Sequence, residues 1–146
     1  MSDLKNVIVV GVDGSENGRR ALEWALDEAA LRNASLLLVH GIDLGLSVAE
    51  PYGGGTMLDQ LQQSAQAALA EAAALAAARS VPSESRMETG SAAYSLIDAS
   101  KGAALLVVGS RGHGGFVGLL LGSVSAACVH HAHCPVVVVR PSDDED

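Results

Sequence analysis

The chain has 146 residues, 49% hydrophobic and only 3% aromatic, with a formal net charge of −8. That length predicts one domain over residues 1–146, with a core built mainly of Val, Leu and Ala. The acidic balance argues against non-specific binding to nucleic acid or an anionic membrane, no apolar run approaches membrane-spanning length, and 2 cysteines are too few for a disulfide framework.

No basic region followed by an apolar stretch stands at the start, so the cytoplasm is the expected compartment. Leu4 and Val7–Val12 form a continuous apolar run, the pattern of a strand buried on both faces. Asp13-Gly14-Ser15 ends it. Ser15 suits the N-cap of a helix over Glu16–Arg32, whose apolar face is Leu22, Ala25, Leu26 and Ala29. Asn33 suits a left-handed stop. Asp13 has two readings. At the carboxyl end of a first strand it can bond a ribose hydroxyl or stand beside a bound metal; equally, it can be a turn aspartate.

Ser35–Val39 is a second buried strand, closing at His40-Gly41, and His40 reads as a strand-end or core histidine rather than a ligand. Ile42–Thr56 is a long connection carrying Gly45, Pro51 and Gly53-Gly54-Gly55. A flap over a ligand and plain disorder are both expectations for it. Met57–Arg79 predicts a long, alanine-rich helix with a stripe of Leu58, Leu61, Ala65, Ala68, Ala72 and Leu75, and Pro82 marks its break. Ser83–Thr89 is polar and weakly alternating, as suits an exposed edge strand. Gly90-Ser91 opens a short helix to Ser100, with Ala93, Leu96 and Ile97 inward.

Ala103–Val108 returns to buried strand and stops at Gly109. Glycines follow at Gly112, Gly114, Gly115, Gly118 and Gly122, then Ser123 opens a helix over Ser123–His131. A buried strand feeding a glycine-rich loop and a helix start is a place to hold phosphate. The glycines let backbone N–H groups approach an anion, and the helix start adds unpaired donors and a positive dipole end. Ser123 fits as N-cap, with a hydroxyl able to reach a phosphate oxygen. The lysines are Lys5 and Lys101, so backbone donors must do most of the holding, with Arg111 as a candidate cation. His113 either touches phosphate when protonated or is a solvent-exposed loop histidine. There is no Gly-x4-Gly-Lys-Ser/Thr, and Val117 stands where a Gly-x-Gly-x-x-Gly would need its third glycine, which argues against a Walker-type ATPase and a dinucleotide site.

His130, His131 and His133 with Cys134 have zinc-binding chemistry. Adjacent helical residues diverge by about a hundred degrees, and histidines at a helix C-terminus suit its dipole, which is the preferred reading. Cys128 reads as a small buried hydrophobe, with a reactive thiol as the alternative. Pro135 opens a last strand, Val136–Val139, and the acidic tail Ser142–Asp146 is expected to be disordered. The alternation of strands and helices predicts an α/β fold: an open, Rossmann-like, parallel five-stranded sheet with helices on both faces.

The spacing Gly109-x2-Gly112-x9-Gly122-Ser123 resembles the nucleotide-binding signature of the universal stress protein family, and the likeness runs from Lys5 to Arg140. Val7-Ile8-Val9-Val10-Gly11-Val12-Asp13-Gly14-Ser15 is similar to the family's first strand and loop, and Ala132-His133-Cys134-Pro135-Val136-Val137-Val138-Val139 to its ending. The resemblance, with right-handed crossovers, implies strand order 3-2-1-4-5. It further implies ATP or another adenine nucleotide as ligand, Mg²⁺ with Asp13 as its candidate protein partner, frequent homodimers and a role in stress survival. Carried onto this chain, the site takes Gly11, Val12 and Asp13 from the first strand, with Gly41 and Val108 flanking the base. Gly109, Gly112, Gly122 and Ser123 hold the phosphates, and Arg111, His113, Val124 and Ser125 complete the nucleotide-binding set. The switch point between strands one and four then brings Asp13 beside the Gly109–Ser123 loop.

The loop offers no lysine to stabilise a transferring phosphoryl group. A nucleotide-binding regulatory or stress protein is therefore the leading expectation. The rivals are a slow ATP hydrolase or self-phosphorylating protein, and an interaction module for AMP, cyclic AMP or partner proteins. Val136–Val139 carries no device that blunts a sheet edge, so a homodimer through this strand is also expected.

Overall fold

Runs of Val, Leu and Ile build β1 (Val7–Gly11), β2 (Ser35–Ile42), β4 (Leu105–Gly109) and β5 (Val136–Val139), and the polar segment β3 (Ser83–Thr89) completes a sheet of five parallel strands. They stand in the order β3-β2-β1-β4-β5, with Val10 beside Leu38 on one side and Val107 on the other. The computed structural model describes residues 6–42, 54–111 and 121–142, with 54–56 described by backbone alone. The expectations for the connection over 43–53, for Gly112, His113 and the loop to 120, and for the tail from 143 lie outside the described residues.

Four helices cover the sheet among the described residues: α1 (Glu16–Arg32), α2 (Gly54–Ala78), α3 (Ala92–Ala99) and α4 (Ser123–His131). One core layer packs Ile8, Val10, Leu36, Leu38 and Val107 against Leu22, Leu26 and Ala29 of α1 and Leu69 and Ala72 of α2. The other packs Val9, Leu37, Val39, Leu106 and Val108 against Leu96 of α3 and Cys128 of α4. Alternate residues of each central strand thus feed opposite layers, which is why these strands are apolar throughout. No described helix is long and apolar enough to cross a membrane.

The ends of α1 follow local chemistry. Ser15 caps it by accepting from the Gly18 amide, and Asn33 closes it in the left-handed region at φ 55°. Other boundaries differ from the sequence reading. β2 runs on to Ile42, because His40, Gly41 and Ile42 pair with Met87, Glu88 and Thr89. α2 begins at Gly54, three residues before Met57. β4 starts at Leu105 and includes Gly109, which pairs with Val139. The buried line of α2 is Ala65, Leu69, Ala72 and Ala76, so the expected stripe is rotated: Leu58, Leu61, Ala68 and Leu75 are only half-buried. The N-cap of α4 is Gly122, not Ser123, which is its first helical residue.

Candidate functional site

The strand order puts the switch point between β1 and β4, and the carboxyl ends of these strands form the floor of the site. At the β1 exit, Asp13 Oδ1 accepts from the Ser15 amide at 2.9 Å and from Ser15 Oγ at 2.6 Å. Ser15 Oγ in turn accepts from the Gly18 amide at 3.0 Å. The turn role of Asp13 is therefore realised, and the carboxylate is exposed at the strand end, held in place by the first turn of α1. Gly18 is required for this: a Cβ there would fall on Asp13 Oδ1. His40 Nδ1 lies 2.7 Å from the Val12 carbonyl. A carbonyl only accepts, so Nδ1 carries the proton, and His40 fixes the β1 exit rather than facing a ligand.

Across the switch point, β4 leaves through Gly109, Ser110 and Arg111. Gly109 approaches α1 closely, since a Cβ on it would lie 3.1 Å from Asn17 Cγ, O and Oδ1. The Asn17 side chain accepts from the Arg111 amide at 2.7 Å and donates to the Val139 carbonyl at 3.0 Å. The returning chain is tied down by the Gly122 amide, which donates to Ser110 O at 2.6 Å. Ser125 Oγ donates to the same oxygen at 2.8 Å. The start of α4 is thereby clamped against the end of β4.

α1 and α4 present different N-termini here. Ser15 caps α1 with its side chain, whereas α4 has no side-chain cap bond at Gly122. The first-turn donors of α4 thus face the β4 exit without a side-chain acceptor at the cap, beside half-buried Arg111 and exposed Ser123. This is the donor arrangement that suits an anion. At Gly122 the backbone is ordinary extended chain, φ −78° and ψ 176°. A Cβ there would meet its nearest described neighbour, Ser110 O, at an unstrained 3.4 Å.

The structure gathers Gly11, Val12, Asp13, Gly109, Arg111, Gly122, Ser123, Val124 and Ser125 at the carboxyl ends of β1 and β4. Ser125 is spent on backbone carbonyls, and Val108 is buried in the α3–α4 core layer. Gly41 stands one strand further along and faces α3, where a Cβ would lie 2.6 Å from Ala92 Cα. A cavity of about 230 Å³ opens beside Asp13 between α1 and α2, floored by Leu22 and Ala72 and crossed by the Arg19–Glu71 pair at 3.4 Å. Among the described residues no group of three or more His, Cys, Asp or Glu is placed to hold a metal, and the exposed His130 and His131 rings stand 6.2 Å apart. Asn17, Gly18 and Ser110 were not singled out in the sequence. Their one local signal is position, on the first turn after Asp13 and directly after Gly109.

The model of the universal stress protein family matches residues 6–140. A universal stress protein of Mycolicibacterium smegmatis is 37% identical over 141 residues, covering 95% of this chain and 47% of the relative. The chain spans about half the length of the curated relatives it matches. Among solved structures, a universal stress protein in complex with cAMP is 29% identical with a TM-score of 0.73, over 97% of this chain and 100% of that one. A family member from Arabidopsis thaliana with AMP bound is 26% identical with a TM-score of 0.70, over 96% and 94% of the two chains.

Proposed function

The chain belongs to the universal stress protein family, and from that premise we propose that it binds an adenine nucleotide, ATP with Mg²⁺ foremost, as a regulatory protein. The observation that carries this reading is the switch point itself: β1 ends in a positioned carboxylate, Asp13, and the neighbouring strand β4 ends against a helix start without a side-chain cap. Family members hold cAMP or AMP, which supports an adenine nucleotide as the ligand class. The donor set fits such a ligand. The first-turn amides of α4, Ser123 and the Arg111 guanidinium suit phosphate oxygens, while Asp13 suits a ribose hydroxyl or a hard cation beside the phosphates. Mg²⁺ would supply charge neutralisation of the phosphates. Assembly as a homodimer through β5 belongs to the same proposal.

Calorimetry with ATP–Mg²⁺ and with AMP tests the reading on the parent and on Gly122→Val. The backbone at Gly122 is one that valine adopts, and its Cβ is unstrained against the described neighbours, so the variant is expected to fold with a small loss from its weaker cap. The branched side chain fills the space in front of the first turn of α4, and binding should weaken by about tenfold or more. Equal affinity in parent and variant would place the nucleotide elsewhere.

A further inference from the structure

We infer that Asn17 is a positioning residue that ties the anion-binding end of β4 to the carboxyl end of the edge strand β5. The inference rests on the nucleotide reading above for its ligand but not for its geometry. Asn17 is the second residue of α1 and is buried. It is not the cap, since Ser15 already fills that role, and asparagine is a poor helix former, so its place is explained by tertiary contacts. Its Oδ1 accepts from the Arg111 amide at 2.7 Å and lies 3.3 Å from Ser110 Oγ, while its Nδ2 donates to Val139 O at 3.0 Å. A primary amide donates and accepts without charge from two separate atoms, which lets Asn17 reach Arg111 and Val139 at once. A carboxylate could keep the Arg111 bond but would set an anion against the Val139 carbonyl.

The chain of contacts is continuous. The Gly122 cap of α4 donates to Ser110 O, the Ser110 amide donates to Val139 O, and Asn17 bridges Arg111 and Val139. Nucleotide seated against the first turn of α4 therefore acts on Ser110 and Arg111, and reaches the last residue of β5 by two routes, the Ser110 amide and the Asn17 side chain. By linkage, any equilibrium at the end of β5 that nucleotide shifts in turn shifts nucleotide affinity by the same factor.

Amide hydrogen exchange and chemical shifts of the full chain, labelled with ¹⁵N, test this on the parent, Asn17→Ala and Asn17→Asp, each with and without ATP–Mg²⁺. Without ligand, Asn17→Ala should speed exchange of the Arg111 amide about tenfold or more, the loss of one protecting bond, while β1 and β2 amides exchange as in the parent. Asn17→Asp should keep Arg111 protected. With ATP–Mg²⁺, parent resonances at Val139 and Arg140 should shift, whereas in Asn17→Asp the nucleotide moves Arg111 as in the parent but these two by clearly less, the Ser110 route alone remaining. Parent-like Arg111 exchange in Asn17→Ala, or a parent-like shift at Val139 in Asn17→Asp, overturns the inference. Should Asn17→Ala fail to fold, Asn17→Asp decides alone. A parent blind to nucleotide defeats the nucleotide reading, and the ligand-free exchange then decides whether Asn17 positions the β4 exit.

Discussion

Gly18 sets the sign of one substitution against its usual direction. Glycine inside a helix is ordinarily worse than alanine by about 1 kcal/mol. Here the added methyl would fall on Asp13 Oδ1. That atom ends a short side chain, so Asp13 can swing aside, forfeiting its bonds from Ser15 at roughly 0.5–1.5 kcal/mol each. The two bonds together cost about 1–3 kcal/mol against a gain of about 1 kcal/mol, so stability is unchanged or slightly lowered, and the carboxylate leaves its position. Gly18→Ala should therefore melt within a few degrees of the parent while binding ATP–Mg²⁺ about tenfold more weakly; a parent-like Kd by calorimetry would detach Asp13 from the site. Cys128 offers a pH test. It is fully buried in the α3–α4 layer, and burial pushes its thiol up from 9.0 to about 11. The unfolded thiol ionises from pH 9 while the folded one stays protonated. Its contribution is thus complete below pH 9 and is lost as pH rises from 9 to about 11. Denaturant midpoints should fall more steeply over that window in the parent than in Cys128→Ala, and identical slopes would show that the thiol stays neutral for another reason.

The packing of α3 onto β2 makes Gly41 a structural residue as well as a candidate site residue. An alanine there would place Cβ 2.6 Å from Ala92 Cα and 3.0 Å from Ala92 N. Those are backbone atoms in a first turn that Ser91 caps through the Tyr94 amide at 3.1 Å, so relief requires moving the helix. Gly41→Ala should lose about 1–3 kcal/mol, the usual effect of overpacking, read as a lowered urea midpoint with unchanged slope. A variant as stable as the parent would mean that α3 rides further from β2. The same position shows what sequence could and could not disclose. Ser15, Ser91 and Asn33 were legible because capping is local chemistry within a few residues. The central strands were legible because burial on both faces leaves no polar positions. The reach of β2 to Ile42 was not, because it is set by pairing with β3 far along the chain. The phase of α2 was misjudged because alanine on every side of the helix gives little contrast. Asn17 was hidden for the plainest reason: its partners lie 93, 94 and 122 residues away.

At the scale of the whole molecule, the sheet has two dissimilar edges. β3 is polar and exposed along most of its length, whereas β5 is four valines, each half-buried, paired among the described residues on one side only, with β4. Val137 and Val139 pack toward the α1–α2 layer and Val136 and Val138 toward the α3–α4 layer, so both rows of side chains are anchored and the strand is held straight for pairing. The amides of Leu106 in β4 and of Ser110 just beyond it bond the carbonyls of Pro135 and Val139. Backbone direction alternates along a strand, so Val137 also turns its polar groups to β4, while Val136 and Val138 turn theirs outward. In the proposed homodimer, an antiparallel copy of β5 would satisfy those outward groups and close the assembly with two-fold symmetry. Two copies together have about the length of one curated relative, of which this chain covers 45–53%. The alternation also decides which proline is informative. At Val137 it would remove a donor from the β4–β5 ladder and damage the fold. At Val138 it removes an outward donor, the edge position where proline is tolerated. Val138→Pro should keep the parent's circular dichroism and shift light scattering from dimer to monomer at micromolar concentration, whereas Val137→Pro should lower the melting temperature. A monomeric parent under those conditions, or a Val138→Pro protein that remains dimeric, would move the interface away from β5.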